Sequence, residues 1–150
     1  MTLTTTPSPP LAGSYTLPGD KSLAHRAALF AALAEGESVI GAYPLSGVTR
    51  AMLDALTAFG VSWSVSDGTL TVRGAGLRGL RPPAAAVDCR NSATTIRLLA
   101  GAAAAAGVPC TLDGSAGLRR RPMDRITEPL RAMGVVLGTA PGGGAPLVIG

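Results

Sequence analysis

One pattern is written twice along this chain, and that duplication constrains the fold more than any other feature. In the first copy an extended stretch over 14–17 leads through Pro18-Gly19-Asp20-Lys21-Ser22 into an apolar helix over 23–34, closed by Gly36. In the second, a strand over 87–89 leads through Arg90-Asn91-Ser92 into a helix over 93–106, closed by Gly107. Each helix precedes a short strand, over 38–42 or 109–112, and then a further helix ending in Phe59-Gly60-Val61 or Met133-Gly134-Val135. A hairpin completes each copy, 61–65 with 69–73 and 135–138 with 147–149. The expectation is a repeated βαβαββ unit in an α/β (α+β) architecture. The repeats cover about 13–80 and 84–150, after a flexible tail over 1–12.

Side-chain spacing agrees with this division. Met52, Ala55, Leu56 and Phe59 fall on one helical face, with Gly60 placed to end the helix in a left-handed turn. Ile96, Leu99, Ala100 and Ala103 repeat that spacing. The 23–34 helix is apolar on most faces, which predicts burial on several sides. Pro129 predicts that the last helix, beginning near Pro122, is short or bent. Hydrophobic residues make up 47% of the chain and aromatics only 3%, so Ala, Leu and Val must fill the core.

Several function classes are disfavoured. No apolar run is long enough to cross a bilayer, and the Thr/Pro-rich first ten residues lack the basic head and apolar core of a signal peptide. A cytoplasmic protein is expected. Cys89 and Cys110 lie far apart beside a single histidine, which argues against a zinc site and reads as two small buried hydrophobes. The net charge of +4 is modest and aromatic residues to stack on bases are scarce, so a pocket for small anions fits better than nucleic acid.

The residues that carry chemistry cluster at helix starts. Lys21 is the only lysine among thirteen basic residues, and a compact ammonium is the group whose pKa is most readily moved. With Ser22 it falls in the first turn of a helix, where free N–H groups and the dipole favour an anion, and Arg26 follows Ser22 by four residues. Asp20 stands where a Walker A loop needs glycine, so this is a different kind of phosphate or carboxylate site. In the second copy Asn91, Ser92, Thr94 and Thr95 crowd the helix start, with Arg97 three residues beyond Thr94. Asn91 and Ser92 also suit plain N-capping. Arg119-Arg120-Arg121-Pro122 offers guanidinium groups for bidentate contact, of which one or two are expected to be solvated.

Three motifs together resemble the EPSP synthase family. They are Leu17-Pro18-Gly19-Asp20-Lys21-Ser22-Leu23-Ala24-His25-Arg26, the run from Asp88 to Gly101 containing Asn91-Ser92-Ala93-Thr94-Thr95, and Leu118-Arg119-Arg120-Arg121-Pro122-Met123. They stand in family order, and the likeness covers nearly all of the chain after Ala12. The resemblance implies transfer of a carboxyvinyl group from phosphoenolpyruvate to the 5-hydroxyl of shikimate 3-phosphate, in the shikimate pathway that leads to aromatic amino acids. It implies that Lys21 is catalytic and contacts both substrates, and that Ser22 and Arg26 bind shikimate 3-phosphate with it. Asn91, Ala93, Thr94, Arg97 and Arg121 would line the phosphoenolpyruvate pocket. His25 receives no role. The family's inverse α/β barrel is built from the same repeats, so this chain would be an incomplete first domain, an N-terminal portion inactive alone. No metal, organic cofactor, nucleic acid or membrane is implied, and the full-length form would be a monomer.

The chain departs from the family pattern at three places. Ala93 and Arg90 stand at positions usually held by glycine, and the exchange at Ala93 is associated in the family with tolerance to the inhibitor glyphosate. Ser46-Gly47-Val48-Thr49 lacks the acidic residue usual in that loop. Two alternatives remain open: a carboxyvinyltransferase acting on UDP-N-acetylglucosamine, and a non-catalytic or vestigial domain that binds phosphorylated metabolites.

Overall fold

A computed structural model describes residues 2–7, 9–10 and 12–150. The tail expected over 1–12 includes Met1, Ser8 and Leu11, which lie outside the described residues; the remainder of it is exposed and forms neither helix nor strand.

The first copy contains α1 (Lys21–Leu33), β1 (Glu35–Ile40), α2 (Gly47–Ala58), β2 (Ser62–Ser66) and β3 (Thr69–Ala75). The second contains β4 (Val87–Asp88), α3 (Ala93–Ala106), β5 (Cys110–Asp113), α4 (Ala116–Arg119), α5 (Asp124–Ala132), β6 (Leu137–Thr139) and β7 (Leu147–Ile149). The sheets bear out the duplication. One has the order β1-β3-β2 and the other β4-β5-β7-β6, so β5, β7 and β6 repeat the arrangement of β1, β3 and β2. Those three strands are antiparallel in each sheet, and β4 adds a parallel edge to β5.

The strand expected over 14–17 is absent. Tyr15 and Leu17 are exposed, and no described strand lies beside them to accept a backbone ladder. Its counterpart β4 forms because Val87 and Asp88 pair with Leu112 and Asp113. The strand after α1 also runs earlier than the 38–42 expectation, beginning at Glu35, because Gly36 at φ +91° carries the chain straight from helix into sheet.

Helix ends follow local chemistry. The Asp20 carboxylate accepts the Leu23 N–H at 2.7 Å to start α1. Ser46 and Thr49 form a reciprocal capping box on α2. Ser92 Oγ accepts the Thr95 N–H at 3.2 Å to start α3, and Gly107 ends that helix in the left-handed region. Pro129 is accommodated inside α5, which stays only nine residues long. Alanines set the spacing of the core. Ala28 and Ala32 are fully buried, and α1 lies so close to β3 that a methyl group at Gly74 would collide with the carbonyl oxygens of Ala31 and Ala34. Around them Met52, Leu53, Leu56, Phe59, Ile96, Leu99, Leu112 and Leu147 close one continuous core shared by both copies.

Candidate functional site

The amino ends of α1 and α3 meet. Lys21 is the first residue of α1 and Ala93 the first of α3, so the two copies present equivalent positions to one cavity of about 230 Å3. Asn91, Ser92 and Thr94 complete the α3 side, Val48 comes from the start of α2, and Arg121 from the segment before α5. Five of the expected residues, Lys21, Asn91, Ala93, Thr94 and Arg121, are thus brought together.

Charge decides what this cavity can hold. Among the described residues the side chains of Lys21 and Arg121 have no carboxylate partner, and no carboxylate lines the cavity. Two cations without acid partners lining one concave site favour an anion, with water screening part of that attraction because both side chains are exposed. A neighbouring cavity of about 590 Å3 also contains two arginines, but each has an acid partner, unlike Lys21 and Arg121. Arg119 donates through Nε and Nη2 to Asp113. That hydrogen bond, chiefly, holds the Asp113 carboxyl below the usual carboxylate range. Arg90 Nη2 donates to Asp54 at 2.6 Å. The three consecutive arginines therefore divide: Arg119 is paired, Arg120 is exposed, and Arg121 faces the cavity.

Three expected residues stand elsewhere. Ser22 is exposed, about 100° round the helix axis from Lys21. Arg26 folds back so that Nη1 donates to the Ser22 carbonyl at 3.1 Å, outside the cavity lining. Arg97 reaches across from α3 instead, and its Nη2 donates to the Pro122 carbonyl at 2.8 Å, bracing the residue next to Arg121. Its Nε is buried with no partner.

His25 is the residue that sequence reasoning missed. It is fully buried, with Nδ1 2.7 Å from the Lys21 carbonyl, Nε2 3.1 Å from the Val48 carbonyl and 3.4 Å from Ser92 Oγ. One imidazole thus ties α1, α2 and the α3 cap around the cavity. The available signal was its place four residues after Lys21, one turn along the same face.

Two details of the surrounding wall matter. Cys89 and Cys110 are buried and free, and burial pushes their thiols up to about 12 and about 11, so neither is a nucleophile. Arg90 has φ +52°, a left-handed backbone that costs a side-chain-bearing residue about 1–2 kcal/mol. Asp88 Oδ1 steadies this turn by accepting the Arg90 N–H at 2.7 Å. The Arg90–Asp54 pair joins partly exposed side chains, and such pairs contribute about 0.2–1 kcal/mol.

Residues 5–150 match the family model described as EPSP synthase (3-phosphoshikimate 1-carboxyvinyltransferase). A 3-phosphoshikimate 1-carboxyvinyltransferase of Acidithiobacillus ferrooxidans is 46% identical over 144 residues, covering 95% of this chain and 33% of that protein. The enzyme of that name from Methylococcus capsulatus is 44% identical over 138 residues, covering 91% and 32%. A solved EPSP synthase from Acinetobacter baumannii superposes with a TM-score of 0.85 at 40% identity, covering 91% of this chain and 31% of that one. The chain spans about a third of the length of the curated relatives it matches.

Proposed function

The chain belongs to the EPSP synthase family, and we propose that it supplies the anion-gripping wall of a 3-phosphoshikimate 1-carboxyvinyltransferase. The observation that carries this reading is the cavity in which Lys21 and Arg121 stand without an acid partner among the described residues. Phosphoenolpyruvate and shikimate 3-phosphate are both polyanions, and bringing them together requires positive charge fixed in place beforehand.

In this reading Arg121 holds phosphoenolpyruvate, aided by the polar groups of Asn91 and Thr94. Lys21 lies between the two substrates. Ala93 sets the depth of the pocket with its methyl group, and Arg97 acts through Pro122 by keeping Arg121 in place. Ser22 and Arg26, on the adjoining exposed face, bind shikimate 3-phosphate. The 5-hydroxyl gives up its proton and adds to C2 of phosphoenolpyruvate as the methylene carbon takes a proton. The resulting ketal loses phosphate from C2 and a proton from the new methyl group to leave the enol ether. Lys21 and Arg121 oppose the negative charge that accumulates as the substrates meet.

The isolated chain supplies charge rather than proton transfer. Among the described residues no carboxylic acid lines the cavity, and both ring nitrogens of His25 lie against backbone carbonyls. The chain therefore binds substrate without turning it over. Calorimetric titration with shikimate 3-phosphate and phosphoenolpyruvate, in the parent chain and in Lys21→Ala, tests the site. Binding lost in the variant is expected; equal binding in both would remove Lys21 from the reading. Phosphate release from the two substrates by this chain alone would overturn the claim that it cannot turn them over.

A further inference from the structure

Arg90 lines a second cavity, of about 480 Å3, whose other walls are Ser46, Gly47, Val48 and Asn91. Val48 and Asn91 also line the Lys21 cavity, so the two spaces adjoin along shared residues. Among the described residues no acidic one lines this second space.

Arg90 is held there by a relay of charges. The Arg50 guanidinium lies 5.0 Å from the centre of the Trp63 ring, and its Nε donates to Asp54 Oδ1 at 2.8 Å. The other oxygen of Asp54 accepts Arg90 Nη2. Only Nη2 is committed, which leaves the Nε and Nη1 donors of a planar fork available. The Asp54 carboxylate already has Arg50 as a second cation, so it orients Arg90 without monopolising it.

The backbone says the same thing differently. Arg90 occupies a left-handed conformation that glycine would adopt freely, and an ion pair between partly exposed groups returns no more than that conformation costs. Strain retained at a cavity wall, with donors left over, marks a side chain in use.

We propose that Arg90 forms an additional anion subsite beside the Lys21 cavity, so that the complete site takes a small ligand with two anionic groups. One group sits at Lys21 and Arg121, and the other accepts the free edge of the Arg90 fork. This deepens the reading of the Lys21 cavity as an anion site and rests on it.

The test uses inorganic pyrophosphate as a two-group probe and inorganic phosphate as a one-group probe. Both are titrated calorimetrically into the chain and into the variants Arg90→Gly, Asp54→Asn and Lys21→Ala. Arg90→Gly and Asp54→Asn break the same ion pair, and glycine suits the left-handed turn. Arg90→Gly is expected to weaken pyrophosphate by about tenfold and phosphate much less, as loss of a charge-assisted bidentate contact does. Asp54→Asn, which keeps the cation, leaves pyrophosphate affinity within about twofold. Equal weakening by both variants would show a latch and no subsite, and an unchanged affinity in Arg90→Gly, or no pyrophosphate binding at all, would also overturn the proposal. Loss in Lys21→Ala with none in Arg90→Gly sinks the subsite alone. Loss in Arg90→Gly with none in Lys21→Ala sinks the reading of the main cavity.

Discussion

The amino ends of α1 and α3 are built to one plan and put to different uses. Asp20 caps the first and Ser92 the second, each accepting from the N–H three residues on. The next residue is Lys21 in one copy and Ala93 in the other, and both face the same cavity. Four residues further, His25 reaches the Val48 carbonyl at the start of α2, and Arg97 reaches the Pro122 carbonyl just before α5. The difference teaches how a repeat acquires a site. The backbone frame and the cross-strap are kept in both copies, while one helix start places a charge at the cavity and the other a small methyl group.

The sharpest break in the likeness lies at the ends of α2 and α5. Phe59 and Met133 precede equivalent glycines, yet Phe59 is 1% exposed and Met133 76%. Phe59→Ala is expected to cost about 3–5 kcal/mol, the range for emptying a buried aromatic site. Met133→Ala stays within about 0.5 kcal/mol, as surface changes do. Urea unfolding of the two variants checks this, and similar losses at both sites would mean that the two helix ends are buried alike in solution.

The straps should differ by a smaller margin. His25→Ala empties a fully buried site and removes the contacts to the Val48 carbonyl and Ser92 Oγ, at an expected cost of about 2 kcal/mol. Arg97→Ala removes a partly exposed group and costs about 1 kcal/mol, but it frees Pro122 and so loosens Arg121. Unfolding curves read alongside phosphoenolpyruvate titrations separate them, since Arg97→Ala should weaken binding by more than its stability loss suggests. A variant that unfolds as expected yet binds normally would leave Arg97 a purely structural strap.

The smallest effect concerns an ion pair with no counterpart in the first copy, whose 41–46 connection carries no acid. Asp113 has its pKa lowered by the Arg119 hydrogen bond. Its contribution to stability is therefore present above the ordinary carboxylate pKa, about 4, and is lost as pH falls through the lowered folded value. Asp113→Asn should reduce the melting temperature slightly at neutral pH, and the gap between variant and parent should close in acid. A gap that persists at low pH would place the effect in packing and not in charge.

Much of this was legible in the sequence, and for identifiable reasons. The duplication, the bounds of α3 and the shortness of α5 follow from glycine and proline positions and from helical spacing, all of which act locally. Lys21, Asn91, Ala93 and Thr94 stand at helix starts, which announce themselves in sequence, and with Arg121 they line one cavity. The missing strand over 14–17 was misread because a strand depends on a neighbour that local pattern does not reveal. Ser22 and Arg26 were expected beside Lys21, but one step along a helix turns a side chain well away. The partition of the three arginines depends on Asp113, brought near by folding of β5, and the role of His25 depends on Val48 and Ser92, brought near by packing of α2 and α3.

Because the walls of the Lys21 cavity come from α1, α2 and α3, an occupant touches both repeats at once. An anion that binds there acts as a thermodynamic rivet. Its binding energy is available only while the two repeats stay docked, so it raises the stability of both together. Amide hydrogens in β3 and β7, in different sheets and lining no part of the cavity, should then slow in exchange by a common factor as anion is added. The molecule would unfold as one cooperative body in the presence of ligand, whatever independence its halves show without it.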